Sequence, residues 1–408
     1  MTSKNTYFFL VFLLFFSLIS CGQTNKSNKN SNAVKTVAVS SKEILTGAQQ
    51  TDLYLPILQQ KNIAIVANQT SVIFKNNKDN YTHLVDSLFQ LNNTIKKVFS
   101  PEHGFRGKAD AAEAVADGVD KKTGIPIISL YGKNKKPTAE QLEGIDLVVF
   151  DIQDVGVRFY TYISTLHYIM EACAENNIPV LVLDRPNPNA HYVDGPTLKI
   201  EHKSFVGMHP VPLVYGMTIG EYATMINGEN WLKNNVKCDL TVIPLKNYTH
   251  QIPYHLPIRP SPNLPNDQSI NLYPSLGFFE GTIINAGRGT ENQFQQYGAP
   301  FFPKSEFSYT PQPNFGSKYP KYEGKLCYGV NLKNVERLSS VNIKYLHDAF
   351  NKTPKTEEFF GATFTVHAGN LELEQQLKEG LSVKQIHDSW QPAIEEFKKV
   401  RSKYLMYK

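Results

Sequence analysis

Ile95-Lys96-Lys97-Val98-Phe99-Ser100-Pro101-Glu102-His103-Gly104-Phe105-Arg106-Gly107 joins a strand-like run to a loop that packs an acid, an imidazole and a guanidinium between turn-forming residues. The arrangement recurs twice. Val148-Val149-Phe150 leads into Asp151-Ile152-Gln153-Asp154, and Val180-Leu181-Val182-Leu183 leads into Asp184-Arg185-Pro186-Asn187-Pro188. Apolar runs of this kind suit strands covered on both faces of a parallel sheet. In such sheets ligands bind outside the carboxyl ends of the strands, where loops gather side chains from distant parts of the chain. Three strands that each end in ionisable groups point to one polar site.

Working outward, strands and helices alternate from about residue 43 to 245. Strands are expected at 62–67, 95–99, 126–131, 147–152, 180–183 and 240–243. Between them, Leu84, Val85, Leu88 and Phe89 share one helical face, as do Ile163, Leu166, Met170 and Cys173. Thr138-Ala139-Glu140-Gln141 and Thr218-Ile219-Gly220-Glu221 read as capping boxes that open helices. Such alternation means α/β, with a parallel sheet covered on both faces. The segment 253–274, rich in Pro and Asn, is expected to be irregular and to wrap over the site. Beyond it a smaller α+β region is expected, with a strand at 362–367 and helices at 371–378 and 383–404. The expected domains are a Rossmann-like sheet domain over 43–285 and an α+β C-terminal domain over 286–408.

The chain has 408 residues and a formal net charge of +5, too modest to imply nucleic-acid binding or polybasic adhesion to a membrane. Its first residues read as an export signal: Lys4 supplies charge, and Phe8 begins an apolar run, ending at Ile19, that is short for a bilayer span. Leu18-Ile19-Ser20-Cys21 resembles a bacterial lipobox, which predicts removal of residues 1–20 and lipidation of Cys21. Residues 21–42, rich in Asn, Ser and Lys, are a flexible tether. The protein is therefore expected in the cell envelope. Cys21 is not followed by Asp, which places it, in a two-membrane cell, on the periplasmic face of the outer membrane. Cys173, Cys238 and Cys327 form no disulfide framework and show no metal spacing, and Cys173 suits a buried helix face.

Glu102 is the leading candidate for a catalytic acid or base, since a carboxyl held on a tight loop beside apolar Phe105 suits proton donation; bracing the loop is the alternative. Asp151 follows a strand directly and is placed to reach a cleft, whereas Asp154 could brace the turn through backbone amides. Arg158 opens the next helix, and a guanidinium at a helix N-terminus favours an anionic group such as a carboxylate; a salt bridge to a nearby Asp is the competing role. His103, Arg106 and Arg185 share these strand-end loops. Asn263 in Arg259-Pro260-Ser261-Pro262-Asn263 and Arg288 beyond Glu280-Gly281-Thr282 position substrate or stiffen their loops. The histidines show no compact metal spacing, so no metal is expected. A nucleophile elbow, a P-loop and a complete dinucleotide fingerprint are missing too, which leaves no nucleotide or other cofactor. Carboxylate-driven hydrolysis with an anion-recognising subsite leads among enzymatic classes.

Taken together, SPEHGFRG, DLVVFDIQDVGVRFYTY, VLDRPNP, RPSPNLPN and FFEGT with GRGT resemble, in order, the NamZ-like exo-β-N-acetylmuramidases, glycoside hydrolase family 171, formerly a domain of unknown function. The resemblance spans residues 43–408. It implies a Rossmann-like domain, a smaller C-terminal domain and a cleft between them. It also implies release of N-acetylmuramic acid (MurNAc) from the non-reducing ends of peptidoglycan-derived MurNAc-GlcNAc saccharides. Glu102 falls on the glutamate of the family's EHG motif, which implies the general acid, and Asp151, Asp154 and Arg158 fall in its FD-Q-D-G-R segment. The second catalytic group stays open: a carboxylate, or the substrate's own N-acetyl group. A lipid-anchored muropeptide-binding protein without catalysis, and a peptidoglycan amidase or esterase, are the rival classes.

Overall fold

The computed structural model describes residues 42–75, 80–107 and 117–407. The expected signal peptide, Cys21 and the tether up to position 41 lie outside the described residues.

The first part of the chain alternates as its apolar runs dictate. It forms α1 (Thr51–Leu58), β1 (Asn62–Ala67), β2 (Val72–Phe74), β3 (Tyr81–His83), α2 (Leu84–Gln90), β4 (Thr94–Ser100) and β5 (Gly118–Val119). There follow β6 (Pro126–Ser129), α3 (Ala139–Leu142), β7 (Leu147–Asp151), α4 (Tyr162–Glu175), β8 (Val180–Leu183), α5 (Ile219–Gly228) and β9 (Leu240–Ile243). Seven strands form one sheet in the order β5-β6-β4-β1-β7-β8-β9. All neighbours are parallel except β5 with β6. Without the short β5, the order by chain position is 3-2-1-4-5-6, the doubly wound order, which reverses between β1 and β7.

The period of two along each strand sends alternate side chains to opposite faces. Ala64, Val66, Phe99, Val148, Phe150, Val180 and Val182 meet α4 and α5 on one face. Ile63, Ile65, Val98, Leu147, Val149, Leu181 and Leu183 meet α1 and α2 on the other. Cys173 is buried in the first of these cores, and Cys173, Cys238 and Cys327 are all buried, unpaired thiols.

The rest of the chain forms α6 (Asp267–Leu276), β10 (Gln296–Ala299), β11 (Ser308–Tyr309), β12 (Cys327–Asn331), α7 (Lys344–Lys352), α8 (Phe364–Ala368), α9 (Glu372–Lys378) and α10 (Val383–Ser402). The strands make a small antiparallel sheet, β10-β12-β11. Ile386, Trp390, Ile394 and Phe397 bury one face of α10 in the same core that α4 and α5 join.

Two expectations are corrected here. Residues 362–367 are not a strand: Phe364 and Ala368, four apart, are both fully buried, a helical spacing, and Gly369 at φ 79° ends α8 in the left-handed conformation. The Pro- and Asn-rich segment is not irregular throughout, because α6 begins inside it. Asn266 caps that helix by accepting from the Ser269 amide at 2.9 Å, and Pro274 falls in its last turn.

Candidate active site

The EHG loop is built from two consecutive turns, closed by Gly104 N to Pro101 O at 3.1 Å and Gly107 N to Gly104 O at 3.2 Å. His103 itself lies at φ 70°, followed by Gly104 at φ 79°. A left-handed residue other than glycine is held only where its surroundings over-determine it, and His103 is 3% exposed. That double turn directs Glu102 into a cavity of about 210 Å³, the scale of one sugar unit. Glu102 and His103 share its wall with Tyr131 after β6, Phe159 to Thr161 before α4, Ser261, Asn263, Tyr273, Glu280, Arg288, Phe294 and His367.

Hydroxyls hold the Glu102 carboxyl. Thr161 Oγ1 donates to its Oε2 at 2.8 Å, and the Tyr131 phenol is hydrogen-bonded to it. Burial first, then the charge of Glu102, raise the Tyr131 pKa, so the phenol stays a donor. Thr161 is the N-cap residue of α4 but its side chain caps no helix amide, being turned to Glu102 instead.

A second carboxylate reaches the same cavity. Glu280 lies in the 3-10 turn Gly277–Gly281 and receives Arg288 through Nε to Oε1 at 3.0 Å and Nη2 to Oε2 at 2.9 Å. Burial works to raise its pKa, but Arg288 and Lys321 outweigh that and hold it below the ordinary glutamate value. Arg288 also lies 5.4 Å from the Phe294 ring centroid. His367 Nδ1 lies 3.0 Å from the Thr363 carbonyl, which only accepts, so that nitrogen carries the proton and Nε2 is the acceptor. Burial lowers the His367 pKa and favours this neutral form.

Of the sequence-derived candidates, Glu102, His103, Asn263 and Arg288 line the cavity, and five do not. Asp151 is fully buried, its two oxygens gripped by Arg185 at 2.6 and 2.8 Å. Burial raises the Asp151 pKa against the pull of that guanidinium. The pair sits at the sheet's reversal point, where Thr70, Ser71 and Arg185 stitch the β1 and β7 loops together. The crevice that holds dinucleotides in other doubly wound sheets is thus filled by protein. Asp154 Oδ2 accepts from the Gly156 amide at 2.7 Å and from the Tyr215 hydroxyl, the turn-bracing role, and burial pushes its pKa up to about 6.

Arg158 is fully buried. It donates to the carbonyls of Pro196, Val211, His367 and Ala368, tying the start of the α4 segment to the end of α8. Among the described residues no carboxylate pairs with it, so the salt bridge is replaced by four carbonyls. Arg106 turns outward from the loop to Asp86 at 3.1 Å and Asp120 at 2.9 Å.

The residues 63–268 match the N-terminal part, and 271–407 the C-terminal part, of the exo-β-N-acetylmuramidase NamZ family. The chain belongs to this family. It is 38% identical to the peptidoglycan β-N-acetylmuramidase NamZ of Bacillus subtilis, across 99% of this chain and all of that one. Two crystal structures of DUF1343 family proteins from Bacteroides fragilis share its fold. One is 44% identical with a TM-score of 0.82, the other 27% identical with a TM-score of 0.76, each match covering 90% of this chain and 99% of the other. Within this NamZ-family cavity, sequence reasoning missed Tyr131, Thr161, Glu280 and His367. Tyr131 ends the third parallel run and was open to the same strand-end rule that found Glu102. Glu280 stood in the FFEGT motif beside Arg288, but nothing local marks it as facing Glu102's cavity.

Proposed function

We propose that this chain is a glycoside hydrolase that removes terminal non-reducing MurNAc from peptidoglycan fragments, with Glu102 as general acid. The observation that carries the assignment of Glu102 is its placement: a carboxyl oriented by two hydroxyl donors at the wall of a cavity the size of one sugar. A pocket of that size suits an exo-acting enzyme, which takes in one terminal residue and leaves the remaining saccharide outside.

Protonation of the glycosidic oxygen by Glu102 lets the bond to the anomeric carbon break, and positive charge develops on the sugar ring. Glu280, kept ionised by Arg288 and Lys321, supplies negative charge in the same cavity. Arg288 brings a guanidinium for the lactyl carboxylate of MurNAc. Arg158, sealed among four carbonyls, holds the wall on which Phe159 and His367 stand.

Glu102→Gln tests the assignment. With a MurNAc-terminated disaccharide, turnover is expected to fall about 10³-fold while binding persists, the range of a lost general acid. Wild-type turnover in the variant would remove Glu102 from the chemistry. A wild-type protein that binds muropeptides without cleaving them would make the chain a binding protein. NMR of the product anomer, followed from the first turnovers, distinguishes retention from inversion.

The lipobox-like Leu18-Ile19-Ser20-Cys21 supports a lipid-anchored form at the periplasmic face of the outer membrane. Globomycin-sensitive processing with acyl labelling at Cys21 checks the anchor. Cleavage by protease added to intact cells would contradict the inward face.

A further inference from the structure

A pocket that admits one sugar leaves the rest of the saccharide outside it, and one loop bonded to a residue of its wall carries two exposed aromatic rings. Asn314 N to Ser317 O at 2.9 Å and Ser317 N to Asn314 O at 3.2 Å close a turn with Phe315 and Gly316 at its tip. Three bonds pin this loop to the cavity wall. Asn263 Nδ2 donates to Gly316 O at 2.5 Å, Asn314 Nδ2 to Thr290 O at 2.9 Å, and Gln312 N to Gly289 O at 2.8 Å. Asn263 lines the cavity, as does Arg288, which lies between Gly287 and Gly289. Only a glycine permits the approach at the tip, since a Cβ on Gly316 would stand 2.7 Å from Asn263 Oδ1.

Phe315 is 61% exposed and Tyr319, on the same loop, 90% exposed. One wet ring on a protein surface is ordinary. Two, four residues apart on a loop hydrogen-bonded to a lining residue of a sugar-sized pocket, leave apolar rings in solvent beside that wall. Three of the rings within the cavity do not serve this way. Phe159 meets Tyr273 edge-on at 5.1 Å, Tyr273 meets Phe294 at 4.8 Å, and Phe159 and Phe294 are buried, so these three build the wall.

We propose that Phe315 and Tyr319 form the subsite for the sugar on the leaving-group side of the scissile bond, an N-acetylated hexosamine whose apolar C–H face stacks on the rings. The inference rests on the saccharide-cleaving reading above. Stacking of this kind gains from apolar burial and from the negative face of the ring, and it tolerates varied substituents on the sugar edge.

The double variant Phe315→Ala/Tyr319→Ala separates this subsite from the pocket. Two constants are compared: KM for a MurNAc-GlcNAc disaccharide, and Ki for free MurNAc, which occupies the pocket alone. KM is expected to rise about tenfold, ~1.4 kcal/mol, with Ki and the melting temperature unchanged. Phe315→Trp on the wild-type background keeps the low KM. An unchanged KM overturns the subsite, and so does a Ki that rises in step with KM, because the loss would then lie in the pocket. A wild-type enzyme inert on the disaccharide would sink the muramidase reading itself, and the subsite with it.

Discussion

Thr161 Oγ1 and Glu102 Oε2 stand 2.8 Å apart across 59 residues of sequence, joining the start of α4 to the loop after β4. The contact fixes which way the carboxyl faces and costs α4 its side-chain cap. Thr161→Val keeps the shape and removes the donor. Its kcat is expected to fall about tenfold, the scale of one lost hydrogen bond to a charged or reacting group, with KM little changed. Steady-state kinetics on the disaccharide check this; a KM effect alone would make Thr161 a binding residue and no support of the acid.

Glu280 is held ionised by Arg288 and Lys321, so its carboxylate persists as pH falls below the ordinary glutamate value of about 4.3. If that charge faces the developing cation, Glu280→Gln lowers kcat at least about 100-fold. In Glu280→Ala, which opens the space of the carboxylate, added azide is an anion small enough to enter and is expected to restore part of the turnover. A variant with wild-type kcat and only a raised KM would reduce Glu280 to a support for Arg288.

The sheet was legible because its strands are covered on both faces: 62–67, 147–151 and 180–183 are near-continuous apolar runs, and only a parallel sheet between two helical layers needs them. Capping boxes at Thr138 and Thr218 were legible because their chemistry is local. Direction was harder. Asp151 and Glu102 both follow strands, and the rule that locates them says nothing of where each side chain turns. Parallel pairing of β7 with β8 brings Arg185 against Asp151, a tertiary fact absent from either segment. Arg158 misled for a related reason, since four carbonyls from three distant segments satisfy it and carbonyls leave no trace in a sequence. At 362–367 a strand is expected from the sequence, while burial of Phe364 and Ala368 decides for a helix.

Arg106 ties the EHG loop to Asp86 and Asp120. Burial works to raise both acids, but Lys122 and Arg106 hold Asp86, and Arg106 and Thr123 hold Asp120, below the ordinary aspartate value. Their unfolded pKa is about 3.9, so this contribution to stability is complete above it and is lost as pH falls through the lower folded values, where the native state must take up protons. Arg106→Met removes the shared partner. Acid unfolding followed by circular dichroism should then occur at higher pH, with a loss near neutrality of about 1 kcal/mol for this partly exposed cation. An unchanged acid midpoint would show that the bridge contributes nothing to stability.

The Asp151–Arg185 pair is sealed from solvent at both ends, with side-chain exposures of 0% and 2%. Removing one partner there leaves an uncompensated buried charge, which costs about 3–5 kcal/mol. Asp151→Asn is therefore expected to lower the urea midpoint strongly, while the fraction that remains folded keeps a near-native KM, because neither residue lines the cavity. Replacing both partners by apolar residues, Asp151→Leu with Arg185→Met, removes the charges together and should recover much of that loss, although the Val72 carbonyl loses a donor. A single variant that is fully stable yet inactive would overturn this placement and return Asp151 to the chemistry.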